Sequence, residues 1–238
     1  MFKKLFGKAA PPVDVAPLEA ALAQVRALDA RGEIAAALEL ARATHDQAQQ
    51  VLDRDNPLLA LTRQHLATLY MRTAQPAAAE PLYQANLEAV RRALPRSGPM
   101  FAKVIRELIG LYQEQGRYAE AAPLLAELAR HQEAAGSADL GDTLLDHVET
   151  ALKLNNLAEA EGAIRKVRML MEGFDFRRSY RMMYLAGQTL MLKGDRAAAR
   201  KGYELALKYG ELHLGQNHPD LIPLRTALAG AQDTGEPR

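Results

Sequence analysis

With 238 residues, 48% of them hydrophobic, the chain has enough apolar surface for one extended domain or two small ones. The absence of cysteine excludes disulfides, thiolate metal sites and a cysteine nucleophile, and it suits a reducing compartment such as the cytoplasm. Thirty Lys and Arg against 29 Asp and Glu leave a formal charge of +1, too small to argue for a nucleic-acid or membrane partner, and no apolar run is long enough to span a bilayer.

Taken in chain order, residues 1–15 read as a flexible basic tail. Lys3, Lys4 and Lys8 alternate there with Phe2, Leu5 and Phe6, and Pro11 and Pro12 end any helix. The segment lacks the continuous apolar core of a secretory signal and is expected to be a leader. Weak peripheral contact with an anionic membrane is the competing expectation for it.

From residue 16 to residue 238 one unit repeats. With Ile34, Pro76, Tyr118, Leu157 and Arg196 as anchors, the spacings are 42, 42, 39 and 39 residues. One residue after each anchor stands alanine (Ala35, Ala77, Ala119, Ala158, Ala197), and three after it stands alanine again (Ala37, Ala79, Ala121, Ala160, Ala199). Seven after come Ala41, Tyr83, Leu125, Ile164 and Tyr203, and six before come Leu28, Tyr70, Tyr112, Ala151 and Leu190, apolar positions at helical spacing. Two before the anchor come Gly32, Ala74, Gly116, Asn155 and Gly194, four of which tolerate the left-handed conformation that ends a helix. Each anchor is therefore predicted to begin a helix B, preceded by a turn and a helix A. Both alanine columns are expected at the close A/B crossing. The first unit has the weakest helix A pattern. At the far end, "NHPD" at Asn217–Asp220 and the apolar periodicity after it predict a last A helix without a partner, a cap on the stack. No hairpin of this kind buries its apolar stripe without its neighbours.

These units resemble the tetratricopeptide repeat, and the 42-residue spacing with "YAEAAPLLAEL", "AAAEPLYQANL" and "LGQNHPDLIPLRTALAGAQDTG" is similar to the kinesin-light-chain type of that repeat. The resemblance runs from about Pro17 to the C-terminus. It implies an all-α fold, a right-handed superhelical solenoid of about five helix-turn-helix repeats plus a C-terminal capping helix, acting as a non-enzymatic scaffold or adaptor for another protein or peptide segment. The alanine-rich composition fits a bacterial source.

The residues offer little chemistry. Ser97, Ser137 and Ser179 are the only serines. None stands in a nucleophile-elbow motif, and Ser137 reads as a helix N-cap. No glycine loop for phosphate appears. His45, His65, His131, His147, His213 and His218 show no metal-ligand spacing, and His147 takes the place of Leu66 and Leu108 in an apolar column, as a partly buried core histidine would. No cofactor, no metal and no small-molecule substrate are expected.

Charge is unevenly spread. Glu133–Glu161 has seven acids and one base, whereas Gly162–Lys208 has eleven bases and four acids. Much of this charge is expected to pair between adjacent hairpins or to stay solvated. The alternative is a regulatory domain that meets nucleic acid or an anionic membrane through Arg165, Lys166, Arg168, Arg177, Arg178, Arg181 and the tail.

The resemblance further implies that the A helices line a concave groove and receive the partner. Counted back from the anchors, the positions facing it are Gln64, Thr68 and Arg72, then Lys103, Arg106 and Gln113, then Asp142 and Glu149, then Arg181, Tyr184 and Gln188, and finally Arg225. Polar, mixed in sign and poor in large apolar anchors, this set suits an extended, hydrogen-bonding segment, with acidic character favoured by Lys103, Arg106 and Arg181.

Overall fold

A computed structural model describes residues 14–93, 99–170 and 175–232. Among them stand eleven α-helices and no strand. The chain divides into two compact units, Met1–Leu108 and Ile109–Arg238.

The first unit holds the hairpins α1 (Ala16–Ala30) with α2 (Ile34–Val51) and α3 (Pro57–Arg72) with α4 (Pro76–Ala93), and the first part of α5 (Pro99–Glu114). α1 packs on α2, α2 on α3 and α3 on α4, and the A helices α1 and α3 also touch. α1 presents Leu18, Leu22, Val25 and Leu28, all buried, at spacings of four, three and three residues, so a sound A helix stands where the weakest was expected. Its Val25 and Leu28 join Ala37, Leu38, Leu66 and Leu69 in one core.

The second unit continues with the rest of α5, then α6 (Tyr118–Ala135), the hairpins α7 (Leu140–Lys153) with α8 (Leu157–Met169) and α9 (Phe176–Lys193) with α10 (Arg196–Leu214), a 3-10 turn Pro219–Leu221 and the last helix α11 (Ile222–Gln232). α7 packs on α9 as well as on α8. Leu144, Leu145, Val148, Val167, Met182 and Leu185 form one core, and Ala199, Tyr203, Ala206 and Leu224 form the next. The predicted cap is present: His218 accepts the Asp220 N–H at 3.3 Å, Pro219 opens the 3-10 turn, and α11 covers α10 with Leu224 fully buried.

All five anchors are the first residues of B helices. The turns that precede them are one structure used five times. The residue two before each anchor has positive φ: Gly32 77°, Ala74 55°, Gly116 70°, Asn155 52° and Gly194 90°. The next N–H then reaches back to the carbonyl six before the anchor: Glu33 to Leu28 (3.0 Å), Gln75 to Tyr70 (2.8 Å), Arg117 to Tyr112 (2.8 Å), Asn156 to Ala151 (2.8 Å) and Asp195 to Leu190 (3.0 Å). This is the Schellman closure, which satisfies the carbonyls a helix end leaves open. Ala74, the one residue of the column poorly suited to this conformation, adopts it nonetheless.

The two alanine columns part company. Ala37, Ala79, Ala121, Ala160 and Ala199 are each 0% exposed, at the A/B crossing where a larger side chain has no room. Ala35, Ala77, Ala119, Ala158 and Ala197 are all exposed, which corrects the expectation that both columns lie at the crossing. Two residues on a helix are separated by about 200° of rotation, so the columns cannot share a face. High helix propensity is the only merit of alanine at the outer column.

Candidate partner-binding surface

In the first unit the candidates sit on α3 and α5. Gln64 is 8% exposed and donates from Nε2 to Glu107 Oε2, while the Thr68 hydroxyl donates to the Gln64 carbonyl at 2.9 Å. Arg72 is bonded to Asp29 of α1. The Gln64 Nε2, the Thr68 hydroxyl and the Arg72 guanidinium are thus engaged within the array, while Gln64 Oε1 is buried without a hydrogen-bond partner among the described residues. Lys103 and Arg106 are exposed. Burial raises the Glu107 carboxyl above its usual range against the opposing pull of the Gln64 N–H and Lys103, and burial lowers His65, with Arg26 and Lys103 adding to the effect. A cleft of about 300 Å³ runs between α3 and α5 over α4, with Gln64 and Lys103 in its wall and the exposed Leu61 and Met100 at its edge.

In the second unit Gln113 donates to Thr150 Oγ1 at 3.1 Å, tying α5 to α7. α7 carries Asp142, Asp146 and Glu149 on one face, and α9 meets them with Arg178 and Arg181. Arg178 is bidentate on Asp142 at 2.9 and 2.6 Å, and Arg181 bonds both Asp146 and Glu149 at 2.7 Å. Burial raises the Asp146 carboxyl more than Arg181 depresses it; burial works to lower Arg181, but the two carboxylates hold it above its ordinary value. Beyond this ladder lies a cleft of about 700 Å³ between α7 and α9. Leu152, Leu185 and Met191 supply its apolar surface. Lys153, Tyr184 and Gln188 supply the polar groups, and Gln188 donates to the Tyr184 hydroxyl at 3.0 Å. Burial and the charge of Glu149 keep that phenol above its usual value. Arg225 serves the cap, donating to Glu211 at 2.9 Å and to the Gln216 carbonyl.

Five of the seven acids of Glu133–Glu161 pair with four of the eleven bases of Gly162–Lys208. Besides the α7/α9 ladder, Lys166 pairs with Glu133 and Lys193 with Glu161, each at 2.8 Å. Arg165 and Arg168 make no ion pair among the described residues. Lys3, Lys4, Lys8 and Ser97 lie outside the described residues. Ser137 accepts the Asp139 N–H at 3.3 Å in the turn ahead of α7, but the N-cap is Asp139, two residues later and without a side-chain cap bond, which corrects the reading of Ser137 as the cap. His147 is 9% exposed and donates from Nε2 to Glu159 Oε1 at 2.6 Å, a satisfied histidine at the edge of the core. No group of three or more candidate metal ligands occurs among the described residues, and no described helix is long and apolar enough to cross a membrane.

Two features were beyond sequence reasoning. Lys153 and Leu152 stand in the α7/α9 cleft, with only their position near the end of an A helix as a signal. Asp146 stands in the ladder, and its four-residue and three-residue spacing to Asp142 and Glu149 was the available sign.

No family model matches the chain, and no curated protein matches it. Solved structures do. A kinesin-light-chain-type protein of Podosopora anserina with nearly identical TPR-like repeats is similar at TM-score 0.68 and 16% identity, over 83% of this chain and 96% of that one. BtubC (BKLC) from P. vanneervenii follows at TM-score 0.64 and 15% identity, over 86% and 92%. An assembly chaperone of RpL4 is similar at TM-score 0.54 and 15% identity, over 90% and 83%. The fold is that of tetratricopeptide arrays, and its units resemble the repeats of kinesin light chains.

Proposed function

We propose that the protein is a non-catalytic scaffold that binds an extended segment of another protein along its A-helix face. The observation that carries this reading is the α7/α9 cleft of about 700 Å³, where an apolar strip beside Lys153, Tyr184 and Gln188 offers both burial and hydrogen bonds. The smaller cleft between α3 and α5, about 300 Å³, places Lys103 beside an apolar wall in the first unit. An extended chain suits the α7/α9 cleft, because its unpaired peptide groups meet the Tyr184 hydroxyl and the Gln188 amide, and its side chains reach alternate sides of the strip. Arg181, neutralised by two carboxylates, adds little attraction for acid. The preference for an acidic segment rests on Lys103 and Lys153. One structural neighbour is an assembly chaperone of RpL4, a protein that handles another protein.

The test is capture of a partner from the native lysate, mapping of its binding segment, and titration of that segment against intact and substituted protein. Replacing Lys153 by Glu together with Tyr184 and Gln188 by Ala is expected to weaken binding by about one to two decades, the sum of several modest contacts. Unchanged affinity rejects the A-helix face as the site.

A further inference from the structure

α8 is the shortest B helix described: 13 residues, against 18 in α2, α4 and α6 and 19 in α10. Its shortness accompanies the contraction of the repeat from 42 to 39 residues. Between α8 and α10 a groove of about 610 Å³ is left open on the B-helix face, opposite the A-helix clefts. Its floor is the flank of α9, where Met183, Ala186 and Leu190 follow one another at spacings of three and four residues. Ile164 of α8 and the 61% exposed Leu205 of α10 form its walls. At its rim Lys193 and Glu161 neutralise one another at 2.8 Å. Arg165 and Arg168, one turn apart on α8, are exposed and unpaired among the described residues.

We infer that this groove is a second docking site, for an amphipathic helix of a partner protein with acidic residues beside its apolar stripe. The floor is the side of a helix, whose backbone groups are already bonded internally, and the hydroxyl of Thr189 is spent on the Leu185 carbonyl at 2.8 Å. An extended segment laid there leaves its own N–H and C=O groups unsatisfied, whereas a helix arrives with them satisfied. The row from Met183 to Leu190 spans about 10 Å at the helical rise, matching anchors at i, i+3 and i+7 of a docked helix. Methionine side chains adapt to such anchors. The two arginines select acid over base at the flanks. Neither residues 1–13, which carry Lys3, Lys4 and Lys8 and no acid, nor residues 233–238, which contain no large apolar residue, have the acidic amphipathic character of this occupant.

The probe is a synthetic helical peptide of about four turns with leucine at i, i+3 and i+7 and glutamate at the flanks, compared with a peptide of the same apolar face flanked by lysine. At low salt the glutamate peptide is expected to shift the Met183 and Leu205 methyl resonances and to bind about tenfold more tightly than the lysine peptide. Arg165→Glu with Arg168→Glu is expected to reverse that order, and Leu205→Glu to weaken binding of the lysine peptide to this double variant without favouring the glutamate peptide. All three positions are exposed, so an unchanged circular dichroism melt shows that each variant folds. Tyr184→Ala with Gln188→Ala, on the opposite face, is expected to leave peptide binding unaltered. Equal binding of the two peptides, an unmoved Met183 methyl, a failure of the charge reversal to invert the preference, or a loss through the Tyr184 and Gln188 substitutions overturns the site.

Discussion

The ring of Tyr203 lies on Gly187, so close that a Cβ at that glycine would stand 2.2 Å from Tyr203 Cε1 and 2.6 Å from Cδ1. Tyr203 is 1% exposed and belongs to the core between α9, α10 and α11. The contact draws α9 and α10 together. Gly187→Ala is expected to cost about 1–3 kcal/mol by overpacking. In a Tyr203→Leu background the same substitution is expected to cost less, since the ring it strikes is gone. Urea denaturation of the four proteins checks this; equal penalties in both backgrounds contradict the contact.

The divergence of the alanine columns supplies a paired test. Ala199→Leu introduces a side chain at a 0% exposed position against Tyr203 and Ala206 and is expected to cost about 1–3 kcal/mol. Ala197→Leu, two residues earlier and exposed, is expected to change stability by no more than about 0.5 kcal/mol. Similar melting midpoints for the two variants contradict the close crossing.

Ala74 adopts φ 55° in a turn where three of the other four repeats use glycine. A left-handed non-glycine residue costs about 1–2 kcal/mol, partly offset by the greater entropy that glycine loses on folding. Ala74→Gly is therefore expected to stabilise the protein by about 0.5–1 kcal/mol, and Gly116→Ala to destabilise it by about 1 kcal/mol. Thermal melts read both; a loss on Ala74→Gly contradicts the assigned turn.

Much of this architecture was legible in the sequence because its determinants are local. A left-handed residue two before each anchor and a small residue three after it act through backbone geometry within one hairpin, and the spacing of Gly32, Gly116 and Gly194 exposes them. Reading two alanine columns as one crossing failed because conserved register in a repeat does not say which face a column occupies; the helical angle between Ala197 and Ala199 does. The site was less legible. Arg72, Arg181 and Gln64 stand on A helices, but their partners Asp29, Asp146 and Glu107 lie 35 to 43 residues away in sequence. Periodicity assigns a side chain to a face and is silent on which charge of the neighbouring hairpin will consume it. The weak pattern assigned to the first A helix likewise gave way to packing: Leu18, Leu22, Val25 and Leu28 form its buried stripe on α2 and α3.

Acidification probes the buried histidines of the first unit. The Thr62 hydroxyl donates to the Leu59 carbonyl at 2.8 Å, so His45 donates from Nδ1 to Thr62 Oγ1 at 3.0 Å. Burial first, then Arg63, lowers the His45 imidazole below its ordinary 6.5. A depressed folded-state value means that the stability held by the neutral ring is full above 6.5 and is lost as pH falls through the folded-state value. His45→Gln removes that titration. Between about pH 7.5 and about pH 5, the melting temperature of the variant is expected to fall less than that of the intact protein. Parallel pH profiles contradict the assignment.

The most direct test of the scaffold reading is calorimetric titration of the mapped partner segment against the intact protein and the Lys153→Glu, Tyr184→Ala, Gln188→Ala variant at low salt. Binding through the α7/α9 cleft requires affinity to fall by about one to two decades, and the difference to shrink as added salt screens Lys153. An unchanged dissociation constant in the folded variant contradicts it.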